Sequence, residues 1–195
     1  MTSLEAALRR ACADLETTGV AFALAGGLAV STRTEPRFTR DADLIVAVAD
    51  DRAAETLIYS LRRLGYGVSA LVEQEAVARL ATVRLTLAED PDSAVVDLLF
   101  ASSGIEGEIV EAAESLELLP GLAIPVARTG HLIALKVLSR DDETRPQDQA
   151  DLRALIRVAS PEELARARAS LDLIVERGYH RGRDLIAQLA PLLGT

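Results

Sequence analysis

At 195 residues, 49% hydrophobic and 26% charged, the chain has a globular balance and the length of one domain, or of a small domain with an appended helical half. Its formal charge of −9 argues against a general polyanion binder, and its one cysteine, Cys12, excludes an intrachain disulfide and fits a reducing compartment. The longest apolar stretch, Val20 to Val30, is broken by Gly26 and Gly27 and is shorter than the ~18 residues of a membrane span, and the amino terminus lacks the basic-then-apolar order of a signal peptide, so a cytoplasmic protein with no membrane partner is expected.

Leu4, Leu8, Cys12 and Leu15 recur at helical spacing, and Thr17, Thr18 and Gly19 close that segment. Val20 to Leu24 reads as a short buried strand, after which Gly26-Gly27 opens a short helix from Leu28 to about Thr32. The loop Thr34-Glu35-Pro36-Arg37 leads to a second strand, Ala42 to Val48. Asp50 or Asp51 caps a helix carrying Ala54, Leu57, Ile58 and Leu61, with Gly65 at its end. Strands are predicted at Gly67–Leu71, Thr82–Leu87 and Ala94–Phe100, with a polar turn at Glu89-Asp90-Pro91-Asp92. From about Thr129 the signals are helical alone. Leu132, Leu135, Lys136 and Ser139 mark one helix, and Leu152, Leu155 and Ile156 another. Ser160-Pro161-Glu162-Glu163 is a strong helix start, and a last helix carries Leu185, Ile186 and Leu189. The pattern predicts an α+β protein, a mixed sheet flanked by helices over residues 1–127 followed by a helical region over 128–195.

The charge is uneven. Residues 1–127 hold 10 basic and 20 acidic residues, whereas 128–195 hold 11 basic and 10 acidic. A polyanionic substrate must therefore be met by local arginines or by bound metal. Lys136 is the single lysine among 21 basic residues, which marks a place where a point charge serves better than a guanidinium fork.

The chemistry concentrates in Gly26-Gly27-Leu28-Ala29-Val30 and Arg37-Phe38-Thr39-Arg40-Asp41-Ala42-Asp43-Leu44. Residues two apart in a strand share a face, so Asp41 and Asp43 present two carboxylates side by side. Like charges so placed repel unless a cation sits between them, and oxygen ligands of this kind suit Mg²⁺; two solvated aspartates at a strand edge is the alternative. Asp97 lies in Ala94-Val95-Val96-Asp97-Leu98-Leu99-Phe100, a run otherwise fit for a sheet interior. A carboxylate buried there needs a partner, either a metal shared with Asp41 and Asp43 or an arginine such as Arg40 or Arg84. Gly26-Gly27 lets the backbone approach a ligand, and the helix that follows aims free N–H groups at an anion. Lys136 and Arg140, four apart, are expected on one helical face; Asp148 and Asp151, three apart, share another with Arg145 close by. His131 and His180 are isolated and receive no ligand role.

Together these residues resemble the DNA polymerase β-like nucleotidyltransferase superfamily, with its G-G…D-x-D signature and a third aspartate on a later strand. Within it, Gly26-Gly27-Leu28-Ala29 and Arg37-x-Thr39-x-Asp41-x-Asp43-Leu44 are similar to the AbiEii-type nucleotidyltransferase toxins. So are Leu135-Lys136-Val137-Leu138-Ser139-Arg140 and Arg145-Pro146-Gln147-Asp148-Gln149-Ala150-Asp151-Leu152, and the resemblance runs from about Phe22 to Leu155. Gly27 stands where the superfamily often has serine, leaving backbone N–H groups to meet phosphate. The resemblance implies a polymerase β-like core with Mg²⁺, as one or two ions, held by Asp41, Asp43 and Asp97, and an NTP as substrate. It further implies that Gly26, Gly27, Arg40 and Lys136 position phosphates, that Asp148 contacts the nucleotide or orients Lys136, and that Asp97 activates the attacking hydroxyl.

For the toxin group the implied acceptor is RNA, at the 3′ end of tRNA, and the implied partner is a cognate antitoxin. The acidic net charge leaves two other readings open: a transferase acting on an aminoglycoside- or lincosamide-type compound or on a protein side chain, and a non-catalytic nucleotide-binding module.

Overall fold

The computed structural model describes residues 3–75, 77–87, 94–140 and 146–193. Helix α1 (Ser3–Thr18) buries Ala7, Leu8, Ala11, Cys12 and Leu15, the stripe its spacing predicts. Strand β1 (Phe22–Ala25) is buried at every position and runs directly into α2 (Gly26–Arg33). Strand β2 (Asp41–Val46) precedes α3 (Asp51–Arg63), whose cap is Asp50: its carboxylate accepts from the Ala53 N–H at 2.8 Å. Then come β3 (Tyr66–Gln74), β4 (Arg79–Leu87) and β5 (Val95–Leu99). The turn expected at Glu89-Asp90-Pro91-Asp92 lies outside the described residues.

The stretch between the third aspartate and the helical region holds three further elements that the sequence patterning did not reveal: α4 (Glu106–Glu111), β6 (Glu114–Leu119) and β7 (Leu122–Val126). The last two form a hairpin across Pro120-Gly121, with Gly121 at φ +71. Their alternation is muted because β6 is a sheet edge, half-buried at best along its length.

The seven strands form one mixed sheet in the order β3-β4-β5-β2-β1-β7-β6. β2 lies at its centre, antiparallel to β1 and parallel to β5. The mixed sheet flanked by helices is thus as the patterning predicts. Beyond it run α5 (Thr129–Ser139), α6 (Pro146–Val158), α7 (Pro161–Glu176), α8 (Leu185–Leu189) and a 3-10 turn, Ala190–Leu193. The start of α7 has the expected cap, with the Ser160 hydroxyl accepting from the Glu163 N–H at 3.3 Å. Among the described residues no helix is long and apolar enough to cross a membrane.

Helix α5 is apolar around most of its circumference, burying Leu132, Ile133, Ala134, Val137 and Leu138, because other helices pack on it. Its amino-terminal end is pinned to α7 through the Glu163 carboxylate, which accepts from the Gly130 N–H at 2.6 Å and from Arg128 Nε at 3.0 Å. A Cβ on Gly130 would stand 2.4 Å from the Glu163 carbonyl oxygen, so the two helices touch backbone to backbone there. At the same end of α5, Arg33 of α2 donates to the carbonyls of Val126 and Ala127, both at 3.1 Å, and to Glu114 at 2.6 Å. These bonds fix where α5, and hence Lys136, sits relative to the strands.

Replacing Glu163 with alanine strands a buried N–H and two arginine contacts. The expected loss is about 2–3 kcal/mol of unfolding free energy, read by chemical denaturation, whereas Glu162→Ala, an exposed neighbour, is expected to stay within ~0.5 kcal/mol.

Candidate active site

The site grows from one register. Across the parallel pair β2/β5, Asp43 stands opposite Asp97, and Asp41 opposite Val95. Strand alternation puts Asp41 and Asp43 on the same face while Ala42 and Leu44 enter the core with no exposure. On its other side β2 places Asp43 opposite Ala25, the last residue before Gly26. The Asp43 carboxylate occupies the space where a Gly26 side chain would be: a Cβ there would stand 1.7 Å from Asp43 Oδ2. Gly26 also has φ +59, so glycine is demanded twice, by backbone conformation and by the carboxylate. At Gly27 the crowding comes from the following loop, where a Cβ would meet Thr39 Oγ1 at 2.7 Å and Arg37 Nη2 at 2.8 Å.

Helix α2 starts at these glycines, and Ala25 at its cap offers no side-chain acceptor. Its first N–H groups are therefore left to whatever anion reaches them. One already serves Asp43, whose carboxyl is stabilised in its charged form by a hydrogen bond from the Gly27 backbone. That help is outweighed. Burial first, then the neighbouring charge of Asp97, push the Asp43 pKa up to about 6, with Asp41 adding to the rise and Lys136 opposing it. Such a carboxyl is an ion short of its counter-charge.

Of the two partners that its strand position called for, Asp97 has the arginine. It lies mid-strand beside Asp43 and is 7% exposed, and it is also held by an arginine. Arg84 of β4 faces it in register and donates from Nε to Oδ1 at 2.9 Å and from Nη2 to Oδ2 at 2.7 Å. The same guanidinium reaches to 3.9 Å from Asp41. Among the described residues no three carboxylates or imidazoles converge in a metal-holding group. Asp41 and Asp43 alone would fit Mg²⁺, which keeps several waters and takes further ligands from substrate phosphates, whereas Asp97 is occupied by Arg84.

Lys136 reaches the site from α5. Its ammonium donates to Asp148 Oδ1 at 2.6 Å and lies 2.9 Å from Asp151 Oδ2, so the pair on α6 shares the face expected of it. Arg37 closes the group by donating from Nη2 to the same Asp151 oxygen at 2.7 Å and from Nη1 to the Phe38 carbonyl at 3.1 Å. Burial would raise the Asp151 pKa, but the bonds from Arg37 and Lys136 hold it below the usual carboxylate range. Two of the three ammonium donors of Lys136 are thereby committed, leaving one for the side of Asp43.

One expectation needs adjustment. Arg140 is not a helical residue four past Lys136, because α5 ends at Ser139 and Arg140 is its cap, with ψ 128. Arg40 lies over the exposed Phe38 ring at 5.8 Å, outside the Lys136 group. Arg145 lies outside the described residues. Conversely, Arg37 and Asp151 had no site role assigned from the sequence, and Arg84 was named only as a candidate partner of Asp97. Arg37 and Asp151 meet across 114 positions of chain, and only their membership of the quoted motifs hinted at them.

A sheet whose central strand carries two aspartates beside a glycine-opened helix defines a polymerase β-like nucleotidyltransferase fold. Solved structures agree. An antigenic nucleotidyltransferase-like protein from Paracoccidioides brasiliensis matches with a TM-score of 0.54 at 18% identity, over 98% of this chain and 92% of that one. The antibiotic-resistance enzyme ANT(2″)-Ia, solved with adenylyl-2″-tobramycin, matches with a TM-score of 0.60 at 14% identity, over 88% of this chain and 97% of that one. No curated protein matches in sequence. Residues 6–193 match the family model of the nucleotidyl transferase AbiEii toxin, type IV toxin–antitoxin system. The chain belongs to that family and is a nucleotidyl-transferring enzyme.

The raised Asp43 pKa has a stability signature. A folded-state value above the unfolded one contributes stability that is complete below about pH 4 and is lost as pH rises through about 6. The metal-free protein is therefore expected to lose on the order of 2 kcal/mol from this group between pH 4 and pH 7.5, and Asp43→Asn to abolish that loss. Denaturation in a chelator at the two pH values measures it; an unchanged pH dependence in the variant would show that Asp43 titrates normally.

Proposed function

We propose that this enzyme transfers a nucleoside monophosphate from an NTP to the 3′-terminal hydroxyl of a tRNA, with Mg²⁺ as cofactor, and acts as the toxin of a toxin–antitoxin pair. The observation that carries the reading is the packing of Asp43 between Gly26 and Asp97, which builds a cation-demanding pair of strands at the mouth of an uncapped helix. In this reading Asp41 and Asp43 hold the ion. A bound divalent ion would neutralise triphosphate charge and acidify the acceptor hydroxyl.

The chain's own groups supply the rest. Backbone N–H groups at Gly26 and Gly27 meet phosphate oxygens at close range, since no side chain intervenes. The third N–H of Lys136 points charge at the same phosphates, while Asp148 and Asp151 hold the ammonium in place. Arg40 adds a cation at the entrance. Asp97 receives the acceptor proton as the new O–P bond forms and pyrophosphate leaves. The acceptor approaches over β4, where Thr82, Arg84 and Thr86 face outward while Ala81, Val83 and Leu85 are buried.

A second reading, transfer to a small cationic compound, draws on the net charge of −9 and on the fold shared with ANT(2″)-Ia, whose structure holds an adenylylated aminoglycoside.

The test is incubation with Mg²⁺, total tRNA and each labelled NTP in turn. Label is expected on tRNA, and Asp41→Ala and Asp97→Ala are each expected to reduce it at least about a hundredfold. Label on an aminoglycoside or on protein in place of tRNA would move the acceptor to the second reading. Full transfer by both variants would remove the aspartates from the chemistry.

A further inference from the structure

The third carboxylate is already engaged. Arg84 grips both oxygens of Asp97 at 2.9 and 2.7 Å, and its pKa is raised, first by that hydrogen bonding and then by the charge of Asp97. The grip is imposed by register, since Arg84 and Asp97 are direct partners across β4/β5. Yet the two side chains differ in freedom: that of Asp97 is 10% exposed, whereas that of Arg84 is 45% exposed and also within 3.9 Å of Asp41. A guanidinium so placed can leave one anion for another without unfolding anything, as its stem lies on the open face of β4.

We propose that Arg84 is an internal counter-ion that competes with divalent cations for the Asp41–Asp43–Asp97 group, releasing Asp97 only when a triphosphate offers it another anion. The inference rests on the nucleotidyl-transfer reading of this site. Charge balance supports it. Lys136 is already bound to two carboxylates on α6, and among the described residues Arg84 is the cation in ion-pair contact with Asp41 and Asp97. One divalent ion on Asp41 and Asp43 then completes neutrality, and a further positive charge near Asp97 is opposed by the guanidinium standing there. The site in this state favours one ion over two and favours metal arriving with nucleotide over metal arriving alone. Arg84 acts through Asp97 and is a positioning residue.

The experiment counts bound Mn²⁺ by the electron paramagnetic resonance of the free ion, with no nucleotide present, on the full chain. Arg84→Met keeps the apolar stem and removes the charge; it is expected to bind Mn²⁺ about tenfold more tightly than the unmodified protein. Arg84→Lys keeps the charge but loses the two-point grip, so a smaller gain is expected, and this variant carries the test if the methionine variant fails to fold. Combining Arg84→Met with Asp97→Asn is expected to erase the gain. Equal Mn²⁺ affinity in the Arg84 variants and the unmodified protein, with binding lost in Asp41→Asn, overturns the competition while leaving the metal site standing. Mn²⁺ binding that survives Asp41→Asn overturns both.

Discussion

The site depends on a repulsion. Asp43 and Asp97 face each other across strands about 4.8 Å apart, where two like charges repel by about 3 kcal/mol at an effective dielectric of ~20. Neither can retreat, because the register is fixed by Ala42, Leu44 and Ile45 on one strand and Val96 and Leu98 on the other, all buried. A one-residue slip would turn every one of these side chains to the wrong face. The hydrophobic core thus holds together what electrostatics would separate, and the excess negative charge becomes a standing demand for cations that Arg84 and Lys136 meet in part.

The helical region answers the same demand from the opposite side. Helix α5 offers the core a largely apolar surface, with His131 buried in it and Lys136 reaching past it. An ammonium so enclosed needs carboxylates, and α6 supplies Asp148 and Asp151 at a spacing of three, while Arg37 brings the loop before β2 into the same group. The loop leading into the aspartate strand and the two helices are consequently one ionic unit: displacing α6 would free Arg37 and loosen the approach to Asp41.

The parts legible in the sequence were those whose cause is local. Alternation at Asp41 and Asp43, the glycine pair after an apolar strand, and the caps at Asp50 and Ser160 each follow from neighbours within a few residues. The hairpin of β6 and β7 was not legible, because an edge strand with Glu114 and Glu117 among its leucines has neither a clean period of two nor a continuous apolar run. Arg84 was visible only as one of two arginines able to meet Asp97, since choosing between it and Arg40 requires the register of β4 on β5. The end of α5 at Ser139 was likewise hidden: Arg140 continues the helical spacing on paper, but its ψ of 128 leaves the helix.

That Lys136 is the sole lysine has a further consequence for the protein's chemistry outside catalysis. Acylation, carbamylation and the attachment of degradation tags all need an uncharged, reachable amine. Here the one side-chain amine is 12% exposed and paired with two carboxylates. The folded enzyme thus offers its one lysine to such reagents only when the site opens, and an adduct on Lys136 reports that opening.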